Sequence, residues 1–148
     1  MNYIEEFDKL KTKVLKYIMF KKRTEQEIRQ KFINDSGELL EDVIEELKEL
    51  NYINDKTYIT KSINEFKNLK NMSIKEIEYK LMTKGIKKDI INNYICENKE
   101  ELLDYEINSA KNIFIKKQNL MEAEEIINYL KKKGYLEETI KIAKEYIS

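Results

Sequence analysis

Ile28, Ile77 and Ile126 stand 49 residues apart, and the interval carries more than the isoleucines. Phe32, Leu81 and Leu130 keep it, as do Gly85 and Gly134, with Gly37 one residue from the place the first copy predicts. All three glycines of the chain thus fall at one seam. Ahead of the seam, Ser73-Ile-Lys-Glu76 is a capping box, in which the serine oxygen accepts an early helix N–H and the glutamate reaches back. Thr24-Glu-Gln-Glu27 places the same device 49 residues earlier. Glu122 occupies the position in the third copy and is a weaker cap. Each capped helix is expected to end near its glycine, which enters the left-handed backbone region without strain. Cap, apolar anchor and terminal glycine recurring together mean a repeated supersecondary unit.

The unit is helical. Proline is absent, so nothing interrupts helices strongly. Leu39, Leu40, Val43, Ile44, Leu47 and Leu50 recur at three- and four-residue spacing and make one apolar stripe. Comparable stripes run through Phe7, Leu10, Val14 and Ile18, and through Ile59, Ile63 and Phe66. Others run through Ile86, Ile90, Ile91, Tyr94 and Ile95, through Leu103, Ile107, Ala110 and Phe114, and through Leu136, Ile140, Ala143 and Ile147. The pattern predicts helices over 7–21, 24–34, 38–51, 55–70, 73–84, 87–96, 99–117, 122–133 and 136–147. None is long enough to stand alone in water, so each must bury its stripe against neighbours. The expected fold is all-α: three tandem three-helix repeats, at 1–54, 55–97 and 98–148, forming an elongated, curved stack that folds as one cooperative chain. An irregular bundle is the alternative, and the shared 49-residue spacing weighs against it.

Three segments resemble the RecX family of regulatory proteins. Arg23-Thr24-Glu25-Gln26-Glu27-Ile28, after Lys21-Lys22, is similar to that family's basic–Ser/Thr–x–x–Glu–Leu signature. Asn51-Tyr-Ile-Asn-Asp-Lys-Thr-Tyr-Ile59 is similar to its Gly-Tyr-Leu-Asp-Asp-x-x-Phe-Ala segment, and Leu81-Met-Thr-Lys-Gly85-Ile86 to its Leu-x-x-Lys-Gly-Ile. The order and spacing of the three, rather than any one, carry the likeness. Asn51 stands where glycine is usual, Asn54 replaces the first aspartate, and Ile59 replaces alanine. Asparagine tolerates a left-handed helix end, so the turn at residue 51 survives. The resemblance implies a modulator of RecA recombinase that binds the RecA–single-stranded DNA filament and restrains strand exchange, co-protease activity and ATP hydrolysis.

Enzyme chemistry finds no footing in the residues. With no histidine in the chain, Ser-His-Asp and Cys-His catalysis and His-containing zinc sites are excluded in their usual forms. Cys96, the single cysteine, is expected as a half-buried structural thiol, and being alone it favours a reducing compartment. Paired acids such as Glu45-Glu46 and Glu100-Glu101 lie opposite apolar stripes and read as solvated helix faces. No glycine-rich phosphate loop exists, since each glycine has a capping role. No cofactor and no metal are expected. Neither a membrane span nor a basic signal peptide is present, so the expected location is the cytoplasm.

Twenty-eight basic residues balance twenty-eight acidic ones, so a partner must be recognised by local charge. Lys9, Lys11, Lys13, Lys16, Lys21, Lys22, Arg23, Arg29 and Lys31 make the first two helices basic. Glu38, Glu41, Asp42, Glu45, Glu46 and Glu49 make the third acidic. A basic middle unit follows, then an acidic patch at Glu97, Glu100, Glu101, Asp104 and Glu106. A winged-helix DNA reader would place that acidic third helix against phosphates, and no strand-forming wing follows it, so sequence-specific duplex binding is not expected. The candidate filament-binding residues are Lys21, Lys22, Arg23, Arg29, Lys67, Lys70 and Lys75, with Lys70 the counterpart of Lys21 one repeat on. Arg23 is favoured, because a planar guanidinium suits carboxylate and phosphate recognition. The expected partner is the RecA nucleoprotein filament, with single-stranded DNA as a further one, and the expected state is a monomer. A helical scaffold for another protein, or a non-specific single-strand binder, is the alternative.

Overall fold

The structure, a computed structural model, describes residues 2–35 and 37–147; Met1, Ser36 and Ser148 lie outside the described residues. Among the described residues it is all-α, with no strand. The helices are α1 (Tyr3–Phe20), α2 (Glu25–Lys31), α3 (Glu38–Glu49), α4 (Asp55–Leu69), α5 (Ile74–Thr83), α6 (Lys88–Glu97), α7 (Lys99–Lys117), α8 (Ala123–Lys133) and α9 (Glu137–Ile147), with a 3-10 turn at Ile33–Asp35.

Both capping boxes are present: Thr24 with Glu27 opens α2, and Ser73 with Glu76 opens α5. Glu122 makes no side-chain cap bond at the start of α8. Asn51 takes the left-handed conformation (φ 65°) after α3, as asparagine permits. Two expectations about ends are corrected. The first helix starts four residues early, because Asn2 accepts the Glu5 N–H and caps it; Tyr3, four residues before Phe7 and stacked on it at 6.0 Å, continues the stripe. Gly37 does not close the second helix: α2 ends at Lys31, the 3-10 turn intervenes, and Gly37 is the N-cap of α3.

The apolar residues gather in three clusters that succeed one another along the chain. Leu10, Val14, Ile28, Val43, Ile44 and Leu47 centre the first, and Ile59, Ile63, Ile77, Leu81 and Ile91 the second. The third gathers Ala110, Ile113, Phe114, Ile126, Leu130 and Ile140. Helix α7 serves two clusters, lending Leu102 and Tyr105 to the second and Ala110, Ile113 and Phe114 to the third. This shifts its buried stripe from the expected one, since Leu103 and Ile107 are only half-buried while Leu102, Tyr105, Glu106 and Ser109 are sealed. Cys96 is exposed rather than half-buried. It lies five residues, well over a quarter-turn round the helix, from Ile91, the buried side of α6.

Candidate nucleic-acid and partner interface

The clusters are joined by the capping residues. Thr24 Oγ1 accepts the Glu27 N–H (3.1 Å) and donates its own proton to the Lys84 carbonyl at the end of α5 (2.6 Å). Ser73 Oγ accepts the Glu76 N–H (3.1 Å) and donates to the Lys133 carbonyl at the end of α8 (2.7 Å). Each hydroxyl is fully buried and serves two helix ends, satisfying an orphan donor on one and an orphan acceptor on the other. The C-terminus of α5 thus meets the N-terminus of α2, and α8 meets α5 likewise, an alignment in which helix dipoles run head to tail. Residues 49 positions apart make both joints. At the first, Gly85 lies against Gln26, and a Cβ there would fall 2.3 Å from the Gln26 side chain. At the second, Gly134 lies against Lys75, and a Cβ there would fall 3.0 Å from the Lys75 side chain.

A carboxylate completes each joint. Asp55 accepts the Glu25 N–H (3.0 Å) beside the first. Burial, only partly offset by that N–H, pushes its carboxyl above the ordinary aspartate range. Beside the second, Glu106 is fully buried and accepts from two helix starts, Ile74 N–H (3.1 Å) and Leu136 N–H (2.8 Å). The expected acidic patch at Glu97, Glu100, Glu101, Asp104 and Glu106 therefore loses its last member, which is buried. Next to it, Ser109 and Tyr135 share a 2.6 Å hydrogen bond, and Tyr105 donates to the Met72 carbonyl (2.9 Å). Burial raises the phenols of Tyr105 and Tyr135.

The basic candidates divide by what holds them. Arg29 pairs with Glu25 (3.1 Å) and grips Glu41 with both terminal nitrogens, fastening α2 to α3. Burial works to raise the Glu25 carboxyl, but hydrogen bonds from Lys48 and Arg29 outweigh it and hold the group below its ordinary range. Lys67 pairs with Glu101. Lys22 donates to Ser62 Oγ (3.1 Å), pairs with Glu65 (3.0 Å) and lies 5.2 Å from the Tyr58 ring centre, tying the α1–α2 link to α4. These three are engaged inside the molecule. Lys21, Lys70 and Lys75 are exposed. Lys21 and Lys70 both follow a helix, but Lys21 is extended (φ −162°) and Lys70 left-handed (φ 51°), so the chain leaves the two corners in different directions.

Lys21, Lys22 and Arg23 do come together, in a cleft of about 220 Å³ between the end of α1 and the start of α4. Lys61, Tyr52 and Tyr58 also line it, and no carboxylate does. Arg23 packs its guanidinium 4.0 Å from the Tyr17 ring centre, and its Nε is sealed from solvent without a hydrogen-bond partner. Sequence reasoning missed Lys61, which joins the corner only because α4 folds back beside α1. It also missed a second basic hollow, at the joint of α5 and α8. There Lys75 and Lys80 face Lys131, Lys132 and Lys133 around an exposed Tyr79. Among the described residues no group of acids and cysteine is arranged to hold a metal ion, and no helix is long and apolar enough to cross a membrane.

No family model matches the chain. It is 33% identical over 133 residues to regulatory protein RecX of Finegoldia magna, covering 82% of this chain and 63% of that protein. It is 32% identical over 146 residues to regulatory protein RecX of Clostridium beijerinckii, covering 88% and 64%. The chain therefore spans just under two thirds of the length of these relatives. A crystal structure of RecX from Lactobacillus salivarius is similar over 97% of both chains, with a TM-score of 0.79 at 19% identity. A further crystal structure of regulatory protein RecX gives 0.76 at 20% identity, over 94% of this chain and 73% of that one. At such identities the structural likeness speaks for the fold.

Proposed function

This chain belongs to the RecX family of regulatory proteins, and on that premise we propose that it is a non-enzymatic, cytoplasmic, monomeric regulator that binds the RecA filament on single-stranded DNA and restrains it. The observation that carries the reading is the carboxylate-free corner lined by Lys21, Lys22, Arg23 and Lys61. In a chain whose formal charges cancel, such a corner offers local attraction to a polyanionic assembly that the whole molecule does not. Local complementarity of this kind governs encounter and register more than total affinity. Lys70 and Lys75 are exposed as well, Lys75 in the basic hollow at the second joint.

The test is RecA-catalysed ATP hydrolysis on single-stranded DNA with the purified protein added. Hydrolysis falls as protein is added; loss well below one protein per RecA means filament capping, and stoichiometric loss means occupation along the filament. The double variant Lys21→Glu/Lys61→Glu, which spares the internally paired Lys22, needs roughly tenfold or more protein for the same effect, about 1.4 kcal/mol of binding. Unchanged hydrolysis with the native chain would remove the reading and favour a helical scaffold for some other protein. A second reading, binding to the single strand itself, is favoured by Phe20 and Tyr79, exposed rings beside lysines on which bases stack. It predicts affinity for DNA without RecA, falling steeply with salt.

A further inference from the structure

Four cations line one small cleft that no carboxylate lines, and among the described residues only Lys22 of the four pairs with an acid. Elsewhere several lysines find acids: Lys11 pairs with Glu46, Lys48 with Glu25 and Lys67 with Glu101. The two acids that act on Tyr58 in the corner's lining are both engaged, Glu27 by the Thr24 N–H and Glu65 by Lys22. Asp55, in the first turn of α4, is turned to the joint, where it accepts the Glu25 N–H. The start of α4, with Asn54 and Thr57, is left as a wall of the cleft, and a helix N-terminus adds partial positive charge.

Arg23 adds a second, independent sign. Its guanidinium is fixed by stacking on Tyr17, and its Nε has no acceptor. A planar guanidinium held in one orientation on the lining of the cleft is suited to an oxyanion with several acceptor oxygens. The cleft's 220 Å³ is several times the ~30 Å³ that one water occupies in the liquid, enough for a tetrahedral anion and part of what carries it.

We infer that this corner is a phosphate-binding recess, in which Arg23 supplies the fork, Lys21 and Lys61 supply mobile charge, and the first turn of α4 supplies the wall. The phosphate is either free or carried on a polynucleotide strand. The inference rests on the filament reading only in taking the corner as the contact surface.

The test follows the Arg23 Nε–H and the Thr57 and Lys61 backbone amides by two-dimensional proton–nitrogen NMR on the full chain. Three probes are added at constant ionic strength: inorganic phosphate, a short single-stranded oligonucleotide with a 5′-phosphate, and the same oligonucleotide without it. Saturable shifts with inorganic phosphate assign a free anion; saturation with either oligonucleotide alone assigns the strand. Lys61→Ala, an exposed position, weakens binding at least severalfold. Arg23→Lys, which keeps the charge and loses the fork, weakens it tenfold or more. Shifts that stay linear and match added chloride, or equal affinity in both variants, would overturn the inference. Because RecA is absent, a phosphate that saturates the cleft while RecA hydrolysis is unaffected separates this inference from the filament reading.

Discussion

Glu106 shows how one side chain can be read wrongly from its neighbours in sequence. It follows Glu97, Glu100, Glu101 and Asp104, and a run of acids reads as a solvated face. Its spacing says otherwise: Leu102, Tyr105, Ser109, Ala110 and Ile113 are all buried at three- and four-residue steps, and 106 falls among them. An acid on a buried seam needs donors, and the starts of α5 and α9 provide them. Glu106→Ala leaves the part-buried Ile74 and Leu136 N–H groups without their acceptor and is expected to cost roughly 2–6 kcal/mol, from ~1–3 kcal/mol per unpaired group. Glu106→Gln keeps one acceptor but sets an amide donor against the other N–H, so its loss is smaller. Chemical denaturation reads both, and equal stability of the Ala variant and the native chain would contradict the assignment. Arg29 is legible only in part: its type suggested recognition, but Glu25 and Glu41 engage it internally, and no spacing rule reveals a partner twelve residues away on another helix.

Helix starts were the most readable elements. Ser73 and Thr24 declare themselves by the glutamate three residues on, and both boxes form. What no local pattern announces is the second bond of each hydroxyl, to a carbonyl 60 residues downstream. Gly85 and Gly134, unlike Gly37, were legible as helix endings, but not as contact surfaces. Gly85 and Gly134 both have positive φ (88° and 92°), so any side chain there incurs backbone strain of about 1–2 kcal/mol. They differ in space. At Gly85 an added methyl would overlap Gln26 Cβ itself, whereas at Gly134 the Lys75 side chain need move only a few tenths of an ångström. Gly85→Ala is therefore expected to destabilise clearly more than Gly134→Ala, by several kcal/mol against about 1–2, on thermal or urea unfolding. Equal losses would mean that the first joint gives way at little cost. The start of α1 was readable but set too late, since Asn2 is a good cap and Tyr3 stands four residues before Phe7.

At the scale of the molecule, the all-α class followed from helical periodicity throughout and the absence of proline. The shared service of α7 did not follow, since a helix with two buried neighbourhoods has a broad apolar face that simple periodicity blurs. We propose that the three sets, 1–54, 55–97 and 98–148, unfold as one unit, supported by α7 spanning two clusters and by hydroxyl-bridged joints linking all three. Helix loss by circular dichroism and tyrosine fluorescence are then expected to trace the same single transition. Two separated transitions would show the first set melting apart from the others. The corner cleft was half legible: Lys21, Lys22 and Arg23 are contiguous, but Lys61 reaches them only through the fold.

The doubly bonded hydroxyls have a consequence for growth. Every coupling of this kind needs a small hydroxyl side chain at one helix start, as Thr24 and Ser73 provide. The third such start bears Glu122, which offers no hydroxyl and forms no cap bond. Anything that abuts the open end of α8 must accordingly grip it by other means, so the clasp between modules has a direction and is not renewed there.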